Sequence, residues 1–248
     1  MSTTLFGWGP TFDLPAPSPF VMKCDIQLQM LGVSFDRALA DLESVSKHKA
    51  PYVDDDGRVV EDSTFIRLYF EEKLGRDLDA GLSAEQRAIG WAIERMLEDR
   101  LVHIVVHERW MEDANFDKGP RQFFAAVPEA MREQVIDQTR SGVKLGLHSQ
   151  GIGRHSRRER MQLAARDIQS VASVLGDKPF LFGDAPTATD ASAYGVIVSC
   201  STRFFESELP RLVERHPALV KYLGRMADRF GMHAPQRAGA FAPRQPAR

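Results

Sequence analysis

The sequence predicts an α/β N-terminal part followed by an all-α C-terminal part. Short apolar runs bounded by turn residues occur only early in the chain, around 3–8, 33–39 and 52–60. From residue 83 onward apolar residues recur at helical spacing behind capping-box starts. Between these regions, 75–82 carries Gly75, Gly81 and several charges with no apolar period, as a connection does. A strand-and-helix half followed by a wholly helical half is not one layered architecture. Two domains are therefore expected, 1–78 and 83–231, with 232–248 as a mobile tail.

The elements follow in order. Residues 3–8 form a strand, and 9–17, with three prolines, a loop. Ser18 suits an N-cap and Pro19 a first helical position, so a helix runs from there through Leu31. Phe20, Cys24, Leu28 and Leu31 share one of its faces, and Gly32 ends it. Val33, Phe35, Arg37 and Leu39 alternate with polar or small residues, as in a strand. Tyr52-Val53 and Val59-Val60 flank Asp56-Gly57, a hairpin signal. A helix from Ser63 to Leu74 stops at Gly75. Ser83 and Gln86 cap a long helix with Ile89, Ile93, Met96, Leu97, Leu101 and Ile104 as its apolar period. Pro128 opens another long helix, ended by Gly151 and Gly153. Ser156 and Glu159 cap the next, and Thr187 and Asp190 cap a helix whose uncharged stretch 191–202 is expected to be buried on all sides. The period from Leu209 to Phe230 is broken around Pro217.

Composition narrows the function classes. The chain has 248 residues, 43% hydrophobic and 27% charged, enough for a sizeable core without staples. With 34 acidic and 32 basic residues the formal net charge is −2, which supplies no field to hold nucleic acid or an anionic membrane. No apolar run is long enough for a membrane span, and no basic segment with an apolar core opens the chain, so no secretory signal is expected. Two cysteines, Cys24 and Cys200, make no disulfide framework, and a reducing, cytoplasmic setting is expected.

Four motifs stand in a telling order: Ser18-Pro19, Lys49-Ala50-Pro51, Asp62-Ser63, and Phe180-Leu181-Phe182-Gly183-Asp184 leading into Pro186-Thr187-Ala188-Thr189-Asp190. Over residues 3–231 the chain resembles the glutathione transferase superfamily. Gly151-Ile152-Gly153-Arg154-His155 and the Phe-Leu-Phe-Gly-Asp stretch resemble its metaxin-like and failed-axon-connections-like branch. The resemblance implies an N-terminal thioredoxin-like, glutathione-binding domain, a C-terminal helical bundle and a homodimer. It implies a detoxification transferase that joins the glutathione thiolate to a small hydrophobic electrophile such as an epoxide, halide or activated alkene. A non-catalytic metaxin-like binding or assembly module and a glutathione-dependent isomerase or reductase are the alternatives.

The residues fit that chemistry. The thiolate is the nucleophile, so something must favour it over the thiol. The Ser18 hydroxyl at a helix N-terminus suits that role, with Trp8, Thr11 and Tyr52 as rivals. Asp62 and Ser63 suit the ammonium and α-carboxylate of the γ-glutamyl end. The resemblance implies that Ala50 pairs its backbone with the cysteinyl unit beside a cis Pro51, and that Lys49, with His48 as a lesser candidate, meets the glycyl carboxylate. A second-substrate pocket is expected from Trp8 and Phe12 on the first loop and His103, His107 and Trp110 on the long helix. Val21 stands where that branch often has a cysteine, and Cys24 reads as a small core residue. His103 and His107 have helical metal spacing, but Ile104 replaces the glutamate of the H-E-x-x-H motif, so no metal is expected. Gly151 and Gly153 lack the strand and third glycine of a dinucleotide loop, and the arginines of 154–160 read as a solvated helix start.

Overall fold

The structure, a computed structural model, describes residues 2–234. The expected tail from 235 onward lies outside the described residues. Four strands, β1 (Thr3–Gly7), β2 (Asp36–Leu39), β3 (Tyr52–Asp55) and β4 (Arg58–Glu61), form a sheet ordered β2-β1-β3-β4. β1 and β2 are parallel and the other pairs antiparallel. Asp56 and Gly57, both at positive φ, turn β3 into β4. The period of two puts paired Leu5 and Val53 on one face, both 0% exposed. Helices α1 (Pro19–Met30) and α2 (Ser63–Leu74) cover that face through Cys24, Leu28, Ile66 and Phe70. Phe6 and Tyr52 stack on the opposite face, ring centroids 4.6 Å apart.

Two local expectations change. The second strand starts at Asp36, because the Val33 N–H still bonds back to Leu28 O of α1 at 3.0 Å. Ala38 is its inward residue and Leu39 is exposed. Helix α1 is not one-sided: Cys24, Leu28 and Leu31 join the sheet core, while Val21, Met22 and Ile26 join the helical core, with Phe20 packed against the latter.

The expected long helix is α3 (Ala84–Met96), a π turn (Leu97–Leu101) and α4 (Val102–Trp110). Ile89 falls outside its buried stripe and is exposed. A short α5 (Asp113–Lys118) and a 3₁₀ turn (Pro120–Phe124) follow, neither legible as a period. Then come α6 (Glu129–Gln150), α7 (Arg157–Leu175), α8 (Ala188–Ser201), α9 (Leu209–Glu214) and α10 (Pro217–Phe230). Helix α8 is the buried centre. The Asp190 carboxylate accepts from the N–H groups of Leu181 and Thr187 at 2.9 and 2.8 Å, satisfying donors at the helix start. Gly195 lets α8 meet α1, since a Cβ there would lie 2.5 Å from Pro19 O. Arg160, expected in a solvated helix start, is buried against Glu108 and Glu112. Met232, expected in the tail, is also buried, and its carbonyl accepts from Tyr194 Oη at 2.7 Å.

Candidate functional site

Residues from both halves of the chain line one cleft of about 260 Å³. Phe20, Lys49, Ala50, Pro51, Asp62, Ser63 and Thr64 come from the sheet side, and Arg95, Glu98, Asp99 and His103 from the helical side. The Ala50–Pro51 bond is cis, as the resemblance implied. Asp62 caps α2 from an unusual backbone, φ 82 and ψ 131. Its carboxylate accepts from Thr64 N–H and from Lys49 Nζ, each at 3.0 Å. Burial pushes this carboxyl up, but Lys49 and the Thr64 N–H outweigh burial and hold it below the usual carboxylate range. Ser63 is buried at the N-terminus of α2, where helix N–H groups favour an anion. His48, exposed, sets its ring against Leu42 O at 3.0 Å and does not line the cleft.

Arg95, Glu98 and Asp99 escaped the sequence reading because they look like the solvated face of a helix. Glu98 and Asp99 sit on the π turn, a feature frequent at functional sites. Behind them the Glu98 carboxylate accepts from Lys23 Nζ at 2.7 Å, Ser192 Oγ at 2.5 Å and Arg95 Nη2 at 2.6 Å. Lys23, 1% exposed, also lies 3.5 Å from Glu94. The signal that could have found this wall is Lys23 itself: a lysine amid Val21, Met22, Cys24 and Ile26 demands a buried acid.

Ser18 caps α1, accepting from Val21 N–H at 3.4 Å, and its hydroxyl donates to nothing among the described residues. The rivals are placed elsewhere. Tyr52 Oη accepts from Asp41 N–H at 3.1 Å on the far face of the sheet. Thr11 Oγ1 accepts from Gln122 Nε2, and Trp8 packs against the helical core. Cys24 and Cys200 are free and buried, and burial pushes the Cys200 thiol up to about 12 and the Cys24 thiol higher still. Immediately before Ser18, the Pro17 carbonyl accepts from Arg109 Nη1 at 2.8 Å.

The five residues expected to form a second-substrate pocket do not line one cavity, although Phe12 and Trp110 both pack on Phe123. His103 lines the cleft, whereas His107 lines a separate groove of about 920 Å³ between α4 and α6. Trp110 sits in an aromatic cluster with Phe116, Phe123 and Phe124. Phe12, 3% exposed, packs on Phe204 and Phe205. Burial pushes both histidines below their ordinary range, with Asp99 opposing at His103 and Arg160 adding to the effect at His107. Ligand atoms of His107, Glu108 and Glu112 lie within 4.8 Å of one another, but Arg157 and Arg160 already neutralise the two carboxylates.

Comparison with known proteins bears on the family and the fold. The family model of the glutathione S-transferase N-terminal domain matches residues 19–115, and that of the glutathione S-transferase C-terminal domain matches residues 164–226. The isoprene-epoxide glutathione S-transferase of Rhodococcus sp. (strain AD45) is 32% identical over 235 residues, covering 92% of this chain and 98% of that protein. Failed axon connections of Drosophila melanogaster is 28% identical over 91% of this chain, which spans 57% of that protein's length. Metaxin-1 of Mus musculus is 28% identical over 56% of this chain and 46% of its own. Among solved structures, the glutathione S-transferase of Ceriporiopsis subvermispora in complex with glutathione aligns at a TM-score of 0.65 and 16% identity, over 96% of this chain and all of that one. Among the described residues no helix is long and apolar enough to cross a membrane. Two domain models matched in chain order, together with a relative 32% identical across nearly the whole length, establish that the chain belongs to the glutathione transferase superfamily, with metaxin and failed axon connections among its relatives.

Proposed function

We propose that the protein is a glutathione transferase that joins the glutathione thiolate to a small electrophile. One observation carries the reading: Asp62, held ionised at an unusual backbone, stands beside Ser63 at a helix N-terminus in one cleft with Lys49, Ala50 and Pro51. Asp62 takes the γ-glutamyl ammonium, and Ser63 with the first N–H groups of α2 takes the α-carboxylate. The Ala50 backbone pairs with the cysteinyl unit, and Lys49 turns from Asp62 to the glycyl carboxylate. Ser18 donates a hydrogen bond from its free hydroxyl to the sulfur, and with the α1 dipole this favours the thiolate, the thiol proton passing to water. The thiolate then attacks carbon, a C–S bond forms, and a C–O or C–halogen bond breaks, its bonding pair going to an alkoxide that stays on the product or to a departing halide. The name of the Rhodococcus relative favours an epoxide, whose opened oxygen takes up a proton from water.

The division into 1–78 and 83–231 and a cytoplasmic detoxification role belong to the same reading. So does a homodimer, for which exposed Val59, Phe65, Leu68 and Trp91 on β4, α2 and α3 offer apolar surface. The failed axon connections and metaxin relatives support a second reading, a non-catalytic binding module. Retention on immobilised glutathione and turnover of a small epoxide separate the two. In calorimetry, Asp62→Ala and Ser63→Ala should each weaken glutathione about tenfold, because a hydrogen bond to a charged group contributes roughly 1.5–3 kcal/mol. Unchanged affinity in both folded variants would refute the site. Retention with isomerase or reductase turnover alone would move the chemistry beyond the shared thiolate and not the site.

A further inference from the structure

His103 on α4 lines the cleft together with Phe20, Lys49, Asp62 and Ser63, and its Nδ1 is buried without a hydrogen-bond partner. A histidine that only fills a core has its buried ring nitrogens satisfied. This imidazole instead has hydrogen-bonding capacity left for whatever enters the cleft.

Two ties set His103 against the start of α1. The π turn is held to α1 where Lys23 Nζ donates to Glu98 Oε1 at 2.7 Å. Helix α4 is held to the chain just before α1 where Arg109 Nη1 donates to Pro17 O at 2.8 Å. Residue numbers rise along α4 as they fall along α1, so the two segments run in opposite directions. His103, between Glu98 and Arg109, therefore stands opposite the first turn of α1. Phe20 of that turn lines the cleft with it, and the cap of that turn is Ser18, whose hydroxyl donates to nothing among the described residues.

The charged groups that line the cleft pair with one another. Lys49 Nζ lies 3.0 Å from Asp62, and Arg95 lies 2.6 Å from Glu98 and 3.2 Å from Asp99. Helix α1 brings Lys23, already bound to Glu98, and α6 reaches the π turn through the neutral Gln150, which donates to Asp99 O at 2.6 Å. On α4 the next titratable group is His107, one turn further on. Burial therefore dominates at His103 and pushes it below its ordinary range, with Asp99 opposing. The ring is neutral near pH 7, the form that accepts a proton.

We propose that His103 is a catalytic base of the transfer and takes the proton of the bound glutathione thiol. The proposal rests on the transferase reading for its substrate and on the cleft for its geometry. The S–H bond breaks, its electron pair stays on sulfur, and the proton goes to an imidazole nitrogen. Ser18 donates a hydrogen bond to the thiolate from one side, and the imidazolium stands on the other. The thiolate offsets the cost of burying the imidazolium, so the ring holds the proton only while the thiolate is beside it. Once the C–S bond has formed, the charge on sulfur is gone and the imidazolium passes its proton to water. His103 is thus the path by which the thiol proton reaches water, and the ring is neutral again for the next turnover.

Two measurements test this. In the first, nuclear magnetic resonance follows isotopically labelled histidine, the His103 ring being identified by its loss in His103→Gln, or in His103→Phe should the first variant not fold. With glutathione bound near pH 7 the His103 ring should become imidazolium. With S-methylglutathione, which has the same charged ends and no thiol proton, it should stay neutral. A ring in the same protonation state with both ligands would overturn the proposal. In the second, glutathione-saturated protein turns over propylene oxide across a range of pH. His103→Gln should lower kcat about a hundredfold near neutrality, the low end for a lost general base, and leave KM for glutathione unchanged. The deficit should shrink as pH rises and the thiol ionises into water directly. A kcat equal to wild type, or one lowered by the same factor at every pH, would overturn the proposal. Glutathione that binds beside an unresponsive ring overturns this proposal alone, whereas a wild-type protein that takes up no glutathione in calorimetry overturns the transferase reading with it.

Discussion

Arg109 is buried to 7% exposure, with no carboxylate among the described residues to pair it, and burial lowers its guanidinium to about 10. An isolated buried charge costs several kcal/mol unless hydrogen bonds answer it. Its partners are the carbonyls of Pro17 at 2.8 Å and Ser199 at 3.2 Å, beside the ring of Phe205. It therefore ties α4 and α8 to the residue just before Ser18, and fixes where the Ser18 hydroxyl stands. Ser18→Ala should raise the pKa of bound glutathione, and one unit corresponds to about 1.4 kcal/mol. Arg109→Met should raise it in the same direction, because the hydroxyl is then less well placed. Thiolate absorbance against pH for each variant decides. Titration curves overlapping wild type for Ser18→Ala would remove the hydroxyl from the mechanism. A lowered Tm with an unmoved curve for Arg109→Met would make that residue structural only. Ser18 was legible because Ser-Pro before an apolar period is a local cap signal. Arg109 was not, because in sequence it is one more charge on a helix, and only the approach of Pro17 and Ser199 gives it a role.

At the scale of elements, local signals survived and long-range ones did not. The caps at Ser83, Ser156 and Thr187, the Asp56-Gly57 turn and the break at Pro217 each depend on neighbours in sequence, and the structure keeps all of them. The sheet-side residues of the cleft, Lys49, Ala50, Pro51, Asp62 and Ser63, were legible for the same reason, as short motifs at element ends. The π turn at Leu97–Leu101 and the two-sided burial of α1 depend on what the rest of the chain brings near. The second-substrate residues failed for that reason too: helical spacing aligned His103, His107 and Trp110, but α6 and the aromatic cluster divided them between three surroundings. The contact between α1 and α8 gives the element-scale test. Gly195→Ala would put a Cβ 2.5 Å from Pro19 O, so backbone and not a flexible side chain must yield. Overpacking of this kind costs about 1–3 kcal/mol. Urea unfolding should show a lower midpoint with an unchanged slope, and glutathione turnover should fall further than stability alone explains, since Pro19 carries Ser18 with it. An unaltered midpoint would mean that the two helices do not approach as described.

Across the whole molecule, charge unites the two halves. Lys23 on α1 bonds Glu98 on the π turn, Arg67 on α2 pairs with Asp79 and lies 3.6 Å from Glu94 on α3, and Gln27 donates to Ala188 O. The cleft lies over this seam, so His103 in the cleft, and His107 one turn further along α4, report on the packing around it. His103 and His107 are both held below their ordinary range, chiefly by burial. The unfolded chain then binds protons at these sites more readily than the folded one, so folding stability rises with pH across the window between the folded values and about 6.5. Their contribution is fully present above about pH 6.5 and is lost as pH falls through that window. Buried carboxylates act the other way: burial raises Glu94, Asp167 and Asp190, which favour the folded state in acid and lose that contribution as pH rises. A single melting profile mixes the two effects, but a difference profile does not. The expected outcome is a wild-type Tm that drops more steeply than that of the His103→Gln, His107→Gln double variant between pH 6.5 and 5, with parallel curves above pH 7. Differential scanning calorimetry over that range checks it. Curves that stay parallel throughout would mean that the two imidazoles titrate alike in the folded and unfolded chain, and that the cleft and groove are open to water in a way their burial denies.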